Sequence, residues 1–370
     1  MRAGRVTRRE FAKCLAGTGV LSGLTSASAA KQSGKKASER AGEANSQAAD
    51  TGAKPTSIPA TKTIWGYLVH LSFNMWEDRE APGAEWRAYK PDLRFDMKLW
   101  DELLQKMAAT GLNLVLLDLG DGVKYESHPE LAVRNAWSVE HLRQELAKTR
   151  QMGLEPIPKL NFSTAHDAWL GPYARCISTD TYYRVCSDLL GEVIRLFDKP
   201  RFFHIGMDEE TTEHQRNYSL LVVRQYDLWW HDFDFLVKEV EKGGSRAWIW
   251  SDYVWNHPAL FYERMPKSVL QSNWYYDTKF DEKIEYVKPY LELEAHGYDQ
   301  VPTASNHSSP ENFALTVAYC RKHIAPERLW GFVQTPWRPT VPEFRERLIQ
   351  AAEQVGQVIT EQSAIKQKAS

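Results

Sequence analysis

The chain has 370 residues, a formal net charge of −2 and 43% hydrophobic residues. This length can bury one large core or two medium ones, and the near-neutral charge gives no indication of a nucleic-acid or anionic-membrane partner. The 14 Trp and 16 Tyr residues supply flat aromatic faces, which either fill a core or stack against sugar rings.

Residues 1–30 have the layout of an exported protein's leader. A short apolar run from Cys14 to Leu24 is followed by small residues at Ala27-Ser28-Ala29, and is preceded by the basic residues Arg2, Arg5, Arg8 and Arg9. We predict a signal peptide read by the twin-arginine export machinery, so the protein is expected in the periplasm or secreted. The apolar run is too short to serve as a stable membrane anchor.

Residues 31–60 lack any aromatic residue and are rich in Ala, Ser, Gly and Lys. Such a segment cannot bury enough apolar surface to order itself, so we predict a disordered linker. The folded part is predicted over residues 61–362, with a disordered tail at 363–370.

The folded part alternates strand-like and helix-like segments, which predicts parallel strands joined by right-handed crossovers. Eight such units over roughly 300 residues favour an α/β fold, a single (β/α)₈ TIM barrel. A doubly wound open sheet is the alternative, but the first strand leads into HLSFNMWEDRE rather than a glycine-rich phosphate loop. The predicted strands are residues 64–73, 112–120, 155–163, 201–210, 246–255, 268–276, 299–305 and 329–337.

The carboxyl ends of barrel strands carry the active site in this fold. Here they carry aromatic, amide and carboxylate side chains, a set suited to a neutral, hydroxyl-rich ligand. The fourth strand ends in FFHIGMDEE, with Asp208 and Glu209 adjacent. Neighbouring residues on a regular strand face opposite sides, so both acids enter one pocket only if the strand ends or kinks near Asp208. A solvated loop or a helix cap is the simpler alternative for such a triplet.

The order of residues from His204 to Glu209, His-x-Gly-x-Asp-Glu, resembles the motif of glycoside hydrolase family 20, the β-N-acetylhexosaminidases. The family usually has a second glycine where this chain has Met207. Four other strand-end segments resemble the family in the same order, so the similarity spans about residues 64–340. These segments contribute His166 and Trp169, Trp250 and Asp252, Trp274, and Trp337.

The resemblance implies that the chain cleaves terminal N-acetylhexosamine residues from a carbohydrate substrate without a cofactor or metal ion. It implies that Glu209 is the general acid, with a pKa raised by an apolar surround, and that Asp208 orients the substrate's 2-acetamido group. His166 and His204 would steady these carboxylates. The implied substrate-binding residues are His166, Trp169, His204, Trp250, Asp252, Trp274, Trp337 and Arg338.

Three departures from the family pattern leave alternatives open. Arg338 stands where the family has a Glu on strand eight, no Tyr-x-Asp occurs on strand seven, and no arginine after strand one matches firmly. One alternative is a glycosidase of another barrel family, with Asp252 or Asp118 as nucleophile. Another is an inactive carbohydrate-binding barrel. A metal hydrolase using His204, Asp208, Glu209 and His214 is less favoured, because no His-x-His pair is present.

Beyond Cys14 in the leader, the cysteines are Cys176, Cys186 and Cys320. An odd number without a Cys-x-x-Cys pair argues against a zinc knuckle or disulfide framework. Buried free thiols are expected, and a Cys176–Cys186 bridge is the alternative in an oxidising compartment.

Overall fold

The computed structural model describes residues 63–79 and 85–369. The predicted signal peptide at 1–30 and linker at 31–60 lie outside the described residues. The barrel strands are β1 (Ile64–His70), β2 (Leu114–Asp118), β3 (Glu155–Lys159), β4 (Phe202–His204), β5 (Arg246–Trp250), β6 (Leu270–Ser272), β7 (Thr303–Ala304) and β8 (Gly331–Gln334).

The strands form one parallel sheet in which each pairs with its neighbour in chain order from β1 to β6, and β7 with β8. Strand β8 pairs back onto β1, with Gly331 opposite Ile64. Parallel bridges from Gln271 to Gln300 and from Trp274 to Thr303 join β6 to the segment containing β7. These contacts complete the ring, so the predicted (β/α)₈ barrel is confirmed.

Helices pack outside the ring because each presents one apolar stripe to the strands. They are α1 (Met97–Thr110), α2 (Val139–Gln151), α3 (Asp180–Leu196), α4 (Tyr226–Lys242), α5 (Tyr253–Asn256), α6 (Pro258–Arg264), α7 (Lys288–Ala295), α8 (Asn312–His323) and α9 (Arg345–Ala369). None of these helices is both long and apolar enough to cross a membrane.

Polar side chains set where several helices begin. The carboxylate of Asp96 accepts the N–H of Leu99 at 2.8 Å before α1, and the hydroxyl of Ser138 accepts the N–H of His141 at 3.1 Å before α2. Each bond satisfies a backbone donor that has no partner within the helix. Helix α9 continues to Ala369, so the predicted barrel end at residue 362 and disordered tail at 363–370 differ from the structure, in which the helix runs through residues 363–369.

A layer of polar side chains crosses the barrel at one register level. His70, Asp118, Lys159 and His204 stand opposite one another on β1 to β4. The Asp118 carboxylate lies 3.0 Å from His70 Nδ1 and 2.8 Å from Lys159 Nζ. The charge of Asp118 is neutralised within this layer. The layer lies below the residues at the strand ends, and we call it the polar floor.

Cys186 and Cys320 are buried free thiols. The alternative of a Cys176–Cys186 bridge is therefore wrong. Burial raises the pKa of both thiols, which makes them unreactive core residues.

Candidate active site

The turn after β4 brings the two adjacent acids to one place. Strand β4 stops at His204, and the backbone then turns left-handed at Gly206 (φ 74°), Met207 (φ 76°) and Glu209 (φ 55°). The alternation of a regular strand is broken, so Asp208 and Glu209 both line the same cavity. The kink that the sequence required near Asp208 is present.

Asn161, just beyond β3, locks this turn. Its side-chain oxygen accepts the N–H of Met207 at 3.2 Å, and its amide nitrogen donates to Asp208 Oδ1 at 2.8 Å. A Cβ atom on Gly206 would lie 1.9 Å from the same Asn161 oxygen, so only glycine fits there. The Ser163 hydroxyl donates to the carbonyl oxygen of Asp208, which fixes the turn from a second side.

His166 joins the two acids. Its Nε2 lies 3.3 Å from Asp208 Oδ2 and 3.2 Å from Glu209 Oε2, and its side chain is buried. Burial alone lowers the pKa of His166, but the charges and hydrogen bonds of the two carboxylates outweigh it and raise the pKa to about 10. The imidazole is therefore a cation at neutral pH, held between two acids.

Glu209 contacts a second imidazole, because His214 Nε2 lies 3.4 Å from its Oε1. Burial favours the neutral acid, but the hydrogen bonds and charges of His166 and His214 together hold the pKa of Glu209 below its ordinary value. The expectation of a pKa raised by an apolar surround is therefore wrong. The hydrogen bond to Glu209 raises the pKa of His214 above its ordinary value.

Asp252, beyond β5, contacts both the backbone of Glu209 and one aromatic residue of the cavity. Its carboxylate accepts the backbone N–H of Glu209 at 2.8 Å, and the indole nitrogen of Trp274 lies 3.4 Å from its other oxygen. Burial, together with the negative charge of Asp208, raises the pKa of Asp252 to about 7. Asp252 thus fixes both the left-handed backbone at Glu209 and one aromatic wall.

The cavity containing the two acids has a volume of about 400 Å³. Five of its sixteen lining residues are tryptophans, and six carry a carboxylate or guanidinium group. The lining residues are Trp76, Glu77, Trp86, Arg87, His166, Asp208, Glu209, Glu213, His214, Arg216, Asn217, Trp250, Trp274, Tyr276, His307 and Trp337. Six of the predicted site residues meet here: His166, Asp208, Glu209, Trp250, Trp274 and Trp337.

A second cavity of about 660 Å³ adjoins the first. Glu209, His214, Trp274 and Tyr276 line both cavities, whereas Asp208 lines only the first and Asp252 only the second. Glu209 therefore faces both cavities.

Three residues predicted to contact substrate lie elsewhere. Trp169 is buried, and its indole nitrogen donates to the carbonyl oxygen of Asn161 at 2.8 Å, so it supports the turn-locking residue as part of the core. His204 lies in the polar floor and accepts the N–H of Gly206 at 3.0 Å. Arg338 stacks on Trp86, 4.3 Å from the ring centre. None of these three side chains lines either cavity, so the structure does not place them where they were predicted.

Several lining residues were not predicted as substrate contacts. Trp86 and Arg87 come from the loop after β1, His214 from the loop after β4, and Tyr276 from the loop after β6. Tyr276 lies two residues after the predicted Trp274, so its proximity to the site could be expected from the sequence. The loop residues carry no periodic pattern, and only the fold brings them to the cavity.

Among the described residues, the side chains of His166, Asp208 and Glu209 form a group spaced as metal ligands can be, with all three ligand atoms within 4.8 Å. The polar atom that His166 would offer is already shared between the two carboxylates. A protonated imidazole cannot coordinate a metal, so a divalent ion could bind here only if His166 lost its proton.

No family profile matches the sequence, and no curated protein is similar to it. Solved structures do share its fold. A GH20 exo-β-N-acetylglucosaminidase from Vibrio harveyi, in complex with N-acetylglucosamine, superposes with a TM-score of 0.53 at 14% identity, over 79% of this chain and 54% of that one. The chain thus spans about half the length of that enzyme.

Two β-N-acetylhexosaminidases give similar results. The Bacteroides fragilis enzyme has a TM-score of 0.55 at 14% identity, over 83% of this chain and 71% of its own. The Streptomyces coelicolor GH20 enzyme has a TM-score of 0.56 at 14% identity, over 80% and 65%. At this identity the likeness establishes the fold: a barrel of the kind found in GH20 enzymes.

The charge on His166 predicts a pH-dependent stability. Because its pKa rises on folding from 6.5 to about 10, its contribution is fully present below pH 6.5 and is lost as the pH rises towards 10. We expect His166→Gln to lower the melting temperature most at pH 6, with a free-energy cost on the order of a few kcal/mol that shrinks towards pH 10. Thermal unfolding across this range measures the difference. The exposed histidine variant His231→Gln is the control, and a cost for His166→Gln that does not vary with pH would contradict the assignment.

Proposed function

We propose that this chain is a glycoside hydrolase that removes terminal N-acetylhexosamine residues by a substrate-assisted, retaining mechanism. The observation that carries the proposal is the placement of Asp208 and Glu209 in one cavity lined by five tryptophans. Aromatic walls stack against the apolar faces of sugar rings, and the cavity volume suits a small ligand. The fold shared with N-acetylhexosaminidases, one of them in complex with N-acetylglucosamine, supports the same substrate class.

In this proposal Glu209 protonates the glycosidic oxygen. A general acid must face the bond between the departing group and the retained sugar, and Glu209 faces both cavities. His214, whose Nε2 lies 3.4 Å from Glu209 Oε1, is placed to supply the proton that the acid transfers. As the C–O bond breaks, that proton leaves with the alcohol.

Asp208 orients the nucleophile. The oxygen of the substrate's 2-acetamido group attacks the anomeric carbon while its N–H donates to Asp208, so negative charge on Asp208 stabilises the cyclic cation that forms. Asn161 and His166 hold the Asp208 carboxylate in place on both oxygens. Water then opens the intermediate, with Glu209 taking back a proton. Adjacent acids suit this route, since an ordinary retaining pair flanks the bond at ~5–5.5 Å from different sides.

A divalent cation between His166, Asp208 and Glu209 is the second candidate, favoured by their spacing. It would make the site a metal-assisted hydrolase. We expect the activity to be unchanged after dialysis against EDTA, because the cation at this position is the imidazolium of His166. Loss of activity on chelation, with recovery on adding a divalent metal, would establish the metal site instead.

Glu209→Gln tests the acid. We expect kcat/KM for 4-methylumbelliferyl N-acetylglucosaminide to fall about 10²–10⁴-fold, because the leaving group is no longer protonated. With a 2,4-dinitrophenyl leaving group, which needs little protonation, the loss should be much smaller. Glu263→Gln, an exposed carboxylate on α6, is the matched control. Near-wild-type turnover of the umbelliferyl substrate by the Gln variant would remove Glu209 from the role.

The acetamido requirement is tested by substrate and by Asp208→Asn. We expect the wild type to cleave aryl N-acetylglucosaminides but not aryl glucosides, and a thiazoline mimic of the cyclic intermediate to inhibit it. Asp208→Asn should lower kcat more than it raises KM, since the charge acts in the transition state. Cleavage of glucosides without thiazoline inhibition would point to another glycosidase mechanism. Sugar binding without turnover would point to an inactive carbohydrate-binding barrel.

A further inference from the structure

A buried ion pair directly after the proposed acid has no role in the chemistry above. Glu210 follows Glu209 in the chain, and its side chain is 4% exposed. Both of its oxygens accept from the guanidinium of Arg224, Oε1 from Nε at 2.8 Å and Oε2 from Nη2 at 2.7 Å. The backbone N–H of Arg224 also donates to Oε1, at 3.0 Å. The pair therefore has the two-pronged geometry that a guanidinium gives to a carboxylate and that a lysine cannot give.

Arg224 connects this carboxylate to two other parts of the barrel. Its Nη2 donates to the carbonyl oxygen of Phe162, just beyond β3, at 2.7 Å, and its Nη1 lies 3.2 Å from Asp232 Oδ2 on α4. The side chains of Arg224 and Asp232 are both buried. A single guanidinium thus joins the residue after Glu209, the segment after β3 and helix α4.

The same guanidinium contacts the left-handed turn that carries the acids, because its Nη2 lies 4.0 Å from Met207 Sδ. On the other side of Glu209, the amide of Asn161 holds the carboxylate of Asp208 at 2.8 Å. The turn is therefore held on both sides of the acid, at Asp208 before it and at Glu210 after it.

The value of this pair lies in geometry more than in stability. A buried ion pair is weak evidence for stability, since an apolar pair of similar size often stabilises a fold equally well. Glu209, however, has a left-handed backbone (φ 55°), a conformation that a residue other than glycine keeps only when its surroundings impose it. Asp252 holds the N–H of Glu209 at 2.8 Å, and the Glu210–Arg224 pair holds the residue that follows.

We propose that Arg224 is a positioning residue for the reaction: by holding Glu210 it fixes the backbone after Glu209 and so orients the acid towards the leaving group. The proposal rests on the proposed function, in which Glu209 is the general acid. Arg224 does not touch the substrate in this role. Asp208 is held separately by Asn161, so the orientation of the acetamido group does not depend on Arg224.

Arg224→Lys tests the proposal, because lysine keeps the buried charge but cannot form the two-pronged contact. We expect kcat/KM for 4-methylumbelliferyl N-acetylglucosaminide to fall about 10–100-fold, since a displacement of about 1 Å in a reacting group can cost on the order of 10²-fold. With the 2,4-dinitrophenyl glycoside, whose leaving group needs little protonation, we expect little change. A purely structural role would lower both values by the same factor, because fewer molecules would be folded.

Arg328→Lys is the matched control. Arg328 makes the same two-pronged contact with Glu294, at 2.9 and 2.6 Å, and lines neither cavity. We expect this variant to keep the wild-type ratio of the two kcat/KM values. If Arg224→Lys does not fold, as shown by its thermal unfolding, Glu210→Gln takes its place with the same expectations.

Amide hydrogen exchange over residues 205–212 gives a measurement that does not depend on activity. The N–H of Glu209 is bonded to Asp252, so it exchanges slowly while the turn is held. We expect faster exchange of this segment in Arg224→Lys and wild-type exchange in Arg328→Lys.

The two measurements separate this proposal from the proposed function. In a wild type that hydrolyses the glycosides, an equal loss on both substrates, no loss on either, or unchanged exchange of the turn overturns the role of Arg224 and leaves the proposed function intact. In a wild type that hydrolyses neither, faster exchange in Arg224→Lys supports the anchoring of the turn by Arg224 and removes the proposed function. Unchanged exchange in such a protein overturns both.

Discussion

Asn161 holds the left-handed turn after β4 through two bonds, one from the N–H of Met207 and one to the carboxylate of Asp208. The rest of the site depends on this contact. If β4 continued as a regular strand, Asp208 and Glu209 would face opposite sides, and only one could reach a ligand. The turn requires a glycine at 206, where any Cβ would collide with Asn161. Residues that hold Asn161 in place, such as the buried Trp169, therefore also help to position Asp208 and Glu209.

The turn concentrates negative charge, and the surrounding residues compensate for it. Asp208, Glu209 and Asp252 lie within one small volume, and His166 and His214 supply the opposing charge. As a result, the pKa values of His166 and His214 are raised, the pKa of Asp252 is about 7, and the pKa of Glu209 is lowered. The proton of this group is thus held on His166 rather than on the Glu209 carboxylate.

Two sets of elements supply the residues that line the cavity. Strand ends supply the acids and the deep indoles, whose positions are fixed by the barrel. Loops supply Glu77, Arg87 and His214, whose positions are fixed by contacts between the β1 and β4 loops. Arg338 stacks on Trp86 and does not line the cavity, so the charged groups of the cavity come from other residues.

The sequence alone determined the eight βα units and the position of Asp208 and Glu209 at the end of β4, because strand and helix periodicities are local and barrel strand ends share one face. It also identified His166, Trp250, Trp274 and Trp337 as residues of that face. Only the tertiary structure decided that Trp169 is core and that imidazoles lower the pKa of Glu209. Only the fold brings Asn217 onto Glu77, 140 positions away in the chain, and burial and charge at such contacts have no local pattern to read.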